Sequence, residues 1–281
     1  VSIKRKCYLL SVLLMTVWLT GCVQEEFEST PSPAGNGIRF TLTVPDVNLP
    51  SVSSRTMTGT GTAKKEDEIE TVDILVFDMS KTPAVFLEWV SATGVTQDLA
   101  DNSTVSFSAV LSPTTASTCI VVVANKELDN IVSGFTKGAT TKVEAMEKML
   151  HTQTGKWLAD GSTTGGYTRI PMYGEKVISK ITPSMDPITG INMKRMLARI
   201  DIRNNSATSN FTVEEVYLAN YNTTGYIAPA WNTNGQVTDP VPDTPVLPAG
   251  SGKMTEEGDA ILYSVNGNTP YDGEIYTFES L

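Results

Sequence analysis

From Ile38 the chain alternates apolar and polar residues: Ile38, Phe40, Leu42 and Val44 are separated by Arg39, Thr41 and Thr43. A period of two puts the four apolar side chains on one face of an extended segment, and Pro45 ends it, so the pattern predicts a half-buried strand. Val72 to Phe77 is a nearly continuous apolar run that suits a central strand. Val105 to Leu111 and Cys119 to Ala124 predict two more, the second rich in β-branched residues. Lys142 to Leu150 is the best helix, with Val143, Met146 and Leu150 sharing one face. Tyr167 to Tyr173 and Lys176 to Ile181 have strand-like composition, and Pro183 to Thr189 reads as a linker.

A second block opens near Ile191. Met196, Ala198, Ile200 and Ile202 alternate with Leu197, Arg199, Asp201 and Arg203. Phe211 to Tyr221, Ala260 to Val265 and Glu274 to Phe278 supply later strands, and Thr238 to Gly252 is a loop carrying Pro240, Pro242, Pro245 and Pro248. Many short strands, turn-rich spacers and few helices indicate an all-β chain built of β-sandwiches. The expected domains are 38–185 and 190–281.

The N-terminus has a different pattern. Lys4, Arg5 and Lys6 precede an apolar run, Tyr8 to Leu19, too short to span a bilayer of ~30 Å. Leu19-Thr20-Gly21-Cys22 closes it in the manner of a bacterial lipobox. Residues 1–21 are therefore expected to leave as a signal peptide, with Cys22 the lipid-bearing first residue, acylated as lipoproteins are. Two or more chains anchor stably, since each buried methylene contributes ~0.8 kcal/mol. Residues 22–37, polar and with Pro31, Pro33, Gly35 and Gly37, read as a flexible tether.

Charge and chemistry narrow the function classes. The net charge is −10 and becomes more negative once Lys4, Arg5 and Lys6 are removed. Such a chain repels phosphate backbones, so nucleic acid is not an expected partner. Three cysteines are present. Cys7 leaves with the leader and Cys22 carries lipid, so Cys119 is expected as a lone, buried small hydrophobe. The single histidine, His151, follows the helix and is expected at its exposed end. One His and one Cys cannot build a four-ligand zinc site, and no G-x-S-x-G elbow or phosphate-cradling loop is present. Glu66-Asp67-Glu68 reads as a solvated charge run rather than a calcium loop. No catalytic residue, metal site or cofactor is expected. Trp157, Trp231, Tyr221 and Tyr226 lie in or near loops and are the candidates for stacking on sugars, which would suit a surface glycan-binding lipoprotein.

Several landmarks occur in a telling order: the lipobox; the strand Ile38 to Val44; Ser53-Ser54-Arg55-Thr56; Glu68 to Asp78; Ile170-Pro171-Met172-Tyr173-Gly174-Glu175; Lys194 to Ile202; and Ile275 to Ser280. Together they resemble the fimbrillins, the lipoprotein precursors of Bacteroidetes type V fimbriae. Gln24-Glu25-Glu26 also resembles the acidic surface-export cue of such lipoproteins. The resemblance implies two tandem transthyretin-like Greek-key β-sandwich domains with few short helices. It implies a non-enzymatic subunit of a fimbria (pilus), exported to the outer-membrane surface and matured for adhesion. An Arg-specific protease would cut after Arg55 and release the lipid with the strand bearing Ile38, Phe40, Leu42 and Val44. The implied partners are other fimbrial subunits, the protease, the outer membrane through the lipid, and host or bacterial surface receptors. A non-cleaved fimbrial anchor is the variant of this reading that keeps its lipid. Family members usually continue beyond the position of Phe278, so the second domain is expected to be incomplete.

Overall fold

The computed structural model describes residues 37–44, 66–97, 104–153, 155–158, 168–202, 213–237, 246–249, 251, 260–264 and 271–278. Two sheets face each other. The first holds β1 (Ile38–Thr43), β4 (Thr93–Gln97), β5 (Thr104–Ala109) and β9 (Ile188–Asn192), in the order β4-β5-β1-β9. The second holds β2 (Val72–Asp78), β3 (Val85–Ser91), β6 (Thr118–Ala124), β8 (Met172–Ile178) and β10 (Lys194–Arg195), in the order β10-β8-β6-β2-β3. Among the described residues the only helices are two short ones, α1 (Asp129–Val132) and α2 (Lys142–Lys148). The chain is all-β with a sandwich at its centre.

The alternating residues of β1 and β5 meet one parity of β2 and β6. Phe40, Leu42, Val105 and Phe107 share a core with Ile74, Val76, Ile120 and Val122. The opposite parity of the same two strands, Leu75, Phe77, Cys119, Val121 and Val123, enters a second core. That core lies with α2 and includes Ile227, Ala228, Tyr276 and Phe278 from late in the chain. Burial on both faces explains why β2 and β6 read as near-continuous apolar runs.

Helix α2 begins with a capping box. The Thr141 side chain accepts from the Glu144 N–H, and the Glu144 carboxylate accepts from the Thr141 N–H. The helix buries Lys142, Ala145 and Met146, followed by Met149, and not the expected stripe of Val143, Met146 and Leu150. The face is turned because Lys142 can be buried: its ammonium donates to Glu175 Oε2 at 2.6 Å and to the Gly235 carbonyl at 2.6 Å. Leu150 belongs instead to β7 (Leu150–Thr152), which pairs with β13 (Thr224–Tyr226).

The later chain forms two ribbons. β11 (Ala198–Ile202) pairs with β15 (Tyr271–Thr277), and β12 (Glu215–Leu218) with β14 (Ile261–Ser264). Tyr221, Ile261, Tyr263 and Ile275 cluster between them. The register of β11 shifts between Ile200 and Ile202, so the expected single apolar face is broken and Ile200 is exposed. Residues 188–195, placed by pattern at the linker and the opening of a second block, are β9 and β10 and complete the two sheets of the first sandwich.

Replacing Leu42, fully buried in the inter-sheet core, with Ala should cost about 2–5 kcal/mol in urea-unfolding free energy. Thr43→Ala, on the exposed face of the same strand, should stay within about 0.5 kcal/mol.

Candidate functional site

Strand β1 occupies a slot inside its sheet. It pairs antiparallel with β5 from Ile38↔Ala109 to Thr43↔Thr104, and parallel with β9 from Phe40↔Ile188 to Thr43↔Asn192. Ile38, Phe40, Leu42 and Val44 are 4%, 1%, 0% and 1% exposed. Phe40 stacks face to face on Phe107, with centroids 5.0 Å apart and planes 6° from parallel. Arg39, Thr41 and Thr43 point outward, as the alternation requires. Four fully buried large side chains represent about 6–12 kcal/mol of hydrophobic stabilisation, and the ladders on both sides add to it. Taking out a strand held this way would uncover a groove and two unpaired edges.

Cys22 and Arg55 lie outside the described residues. The next described segment is pinned from its first residue, Glu66. Glu66, expected in a solvated charge run, is 3% exposed. Its carboxylate accepts from Arg199 Nη1 at 2.8 and 2.9 Å and from the Tyr276 hydroxyl, and its carbonyl accepts from Arg195 Nε at 3.0 Å. These partners come from β10, β11 and β15, so the start of the body is fastened to the late chain. Asn125 secures the next residues. It adopts a positive φ of 58°, which asparagine tolerates. Its amide donates to the Glu68 and Ile170 carbonyls and accepts from the Glu70 N–H.

A second polar knot ties a late loop to the sandwich. Glu175 on β8 accepts from buried Lys142 and from the Tyr173 hydroxyl, and more weakly from the Val237 N–H at 3.4 Å. Burial first, then the Glu175 charge, raises the Tyr173 pKa well above the usual phenol value. Cys119 is buried as expected, and burial pushes its thiol up to about 12. Gly235 adopts φ +75°, and a Cβ there would meet Val143 and Lys142 at 3.3 Å. That close approach is what brings its carbonyl to the Lys142 ammonium.

The four candidate aromatic side chains are packed inward or against each other. Trp157 and Tyr221 are 3% and 7% exposed, while Tyr226 and Trp231 pack edge to face on each other at 4.8 Å. His151 is not at an exposed helix end. It lies on β7, partly buried, with its ring 5.0 Å from Trp157 and 6.4 Å from Phe278. Its Nδ1 has no hydrogen-bond partner among the described residues. Burial, and to a lesser extent Lys126, lowers its pKa to about 4. No group of three or more His, Cys, Asp or Glu is placed to hold a metal among the described residues. Pattern reading missed β9, the second rail of the slot. Ile188 and Ile191 are three residues apart around Gly190, whose φ is +70°, so no period of two marks the strand.

A family model described as major fimbrial subunit protein (FimA) matches residues 38–242. No curated protein sequence gives a significant match. Among solved structures, a fimbrial assembly protein from Parabacteroides distasonis is 11% identical at a TM-score of 0.40, over 87% of this chain and 77% of its own. A candidate cell adhesion protein from the same species is 15% identical at 0.47, over 88% and 71%. A candidate polysaccharide-binding protein from Bacteroides thetaiotaomicron is 13% identical at 0.33, over 72% and 62%.

The neutral His151 gives the fold an acid sensitivity of definite sign. The unfolded imidazole takes its proton near pH 6.5 and the folded one near pH 4. Its contribution is complete above pH 6.5 and is lost as the pH falls toward 4. The urea midpoint of the wild type relative to His151→Leu should therefore fall across that window and stay constant above it.

Proposed function

The chain belongs to the major fimbrial subunit (FimA) family, whose model spans most of it, and on that premise we propose that it matures by giving up its first strand. The protein is a structural, non-enzymatic subunit of a cell-surface fimbria. Its precursor is exported with the 1–21 leader, lipidated at Cys22 and held at the outer-membrane surface. An Arg-specific protease cuts after Arg55, and the lipid, the tether and β1 leave as one piece. A strand from the next subunit then fills the slot, restoring both the buried apolar contacts and the backbone ladders. The contact is heterologous, so repetition gives a filament. The two-domain division, 38–185 and 190–281, is kept within this reading, with residues 188–195 serving the first sandwich.

The observation that favours this reading is the slot itself. β1 is an internal strand carrying four buried side chains. The Ser-, Thr- and Gly-rich loop that follows it carries Arg55, the composition a protease favours. Arg39, within the β1 ladder, is expected to resist the same enzyme. Arg55 as a cleavage site also favours a polymerising subunit over a lipid-retaining anchor. The glycan-binding alternative gains no support from Trp157 and Tyr221, which are packed into the interior. Adhesion to host or bacterial receptors would be a property of the assembled fimbria.

Limited digestion of the full-length precursor with an Arg-specific protease should cut once, after Arg55. It should release the fragment ending there and produce SDS-resistant ladders on gel filtration and electrophoresis. Arg55→Ala should abolish both products. A folded precursor with no preferred cut at Arg55 would overturn the strand-exchange reading.

A further inference from the structure

We propose that β9 is a flap whose order depends on whether the slot of β1 is filled. The inference rests on the strand-exchange reading and names how that site is regulated. The two rails of the slot are unequal. When β1 leaves, β5 keeps β4 as a ladder partner. β9 keeps none: among the described residues β1 is its only ladder partner. The Met193 N–H, just beyond β9, also donates to the Thr43 carbonyl at 2.9 Å, a bond that departs with β1.

The segment that loosens has firm ends. On one side, Ile181 exchanges backbone hydrogen bonds with Thr114, at 3.0 and 3.2 Å. On the other, Lys194 and Arg195 pair with Tyr173 and Met172 on β8, and Arg195 holds the Glu66 carbonyl. Residues 182–193 lie between these anchors. Among the described residues, what still holds them is the Lys176 ammonium on the Thr189 carbonyl and the packing of Met185, Ile188, Ile191 and Met193 on the inter-sheet core. Ile191 and Met193 also crowd Gly174, where a Cβ would come within 2.7–2.8 Å of their side chains. That packing is shared with Phe40 and Leu42 and is exposed when they go.

β9 cannot seal the slot in their place. The slot takes large apolar side chains at every second position, whereas β9 offers only Ile188 and Ile191, with the left-handed Gly190 between them. The emptied slot therefore stays available, and its partner is a strand that completes both rails. Running like β1, such a strand is antiparallel to β5 and parallel to β9. Its arrival orders residues 182–193 in the same step, and the change ends at the anchors on either side.

Hydrogen exchange of the full-length, uncleaved chain tests the coupling without relying on proteolysis. Phe40→Ala should speed exchange in 38–43 and 188–192 by a common factor, on the order of tenfold or more, while 118–124 stays protected. Ile38→Ala, a milder change at the strand's start, serves if Phe40→Ala loosens the whole fold. Ile191→Ala should speed 188–192 and leave 38–43 protected by β5. Wild-type rates in 188–192 alongside accelerated exchange in 38–43 would overturn the proposal. In the cleaved subunit freed of β1, residues 182–193 should exchange freely, and polymerisation should restore their protection; unchanged protection in that state would also overturn it. Absence of cleavage at Arg55 would remove the strand-exchange reading alone, since the uncleaved chain still decides whether β9 follows β1.

Discussion

The structure depends on one strand being held from three sides. β1 is laddered to β5 and to β9 and presses four apolar side chains onto the centre of β2 and β6. No single contact there is unusual. Together they make β1 the keystone of a four-stranded sheet, since it alone joins β5 to β9. Placement in the middle makes the loss of β1 costly and its replacement correspondingly favourable.

The rest of the molecule is fastened by contacts that do not involve β1. Glu66 is bound by Arg199 and Tyr276, and Lys142 binds Glu175 and the Gly235 carbonyl. Both knots lie outside the core that β1 fills. Each is a buried charge matched by an opposite charge and by further hydrogen bonds, the condition under which burial of ions is tolerated. Their value is more in fixing which elements meet than in raw stability. The β7–β13 pairing and the Trp157, Phe278 and Ile227 contacts join the late chain to the sandwich along the same face.

What the sequence made legible follows from its periods. The strict alternation of Ile38 to Val44 defined both the strand and its buried face. The continuous run of β2 marked a central strand for the same physical reason. The landmarks of the first sandwich and of the Lys194–Ile202 segment carried the family resemblance. Other features were hidden, β3 and β4 among them. β9 lacks alternation because it needs only two apolar anchors and turns at Gly190. Glu66 looked like a solvent-facing charge and Lys142 lay off the expected apolar stripe, since their partners are distant in sequence and meet only in the fold. His151 looked exposed because no local pattern announces a three-residue strand pairing with Thr224–Tyr226. Pattern reports burial when side chains are apolar; it is silent where burial is achieved by pairing charges.

β2 and β6 have a further consequence. Their even-numbered apolar residues belong to one core and their odd-numbered apolar residues to the other, as at Ile74 and Leu75 or Ile120 and Val121. The two cores are thus the opposite sides of the same polypeptide wall, and neither can rearrange without moving it. Melting is therefore expected to be a single event for both compartments, and variation in these two strands is constrained twice over: a side chain acceptable to one compartment must leave the backbone where the other requires it.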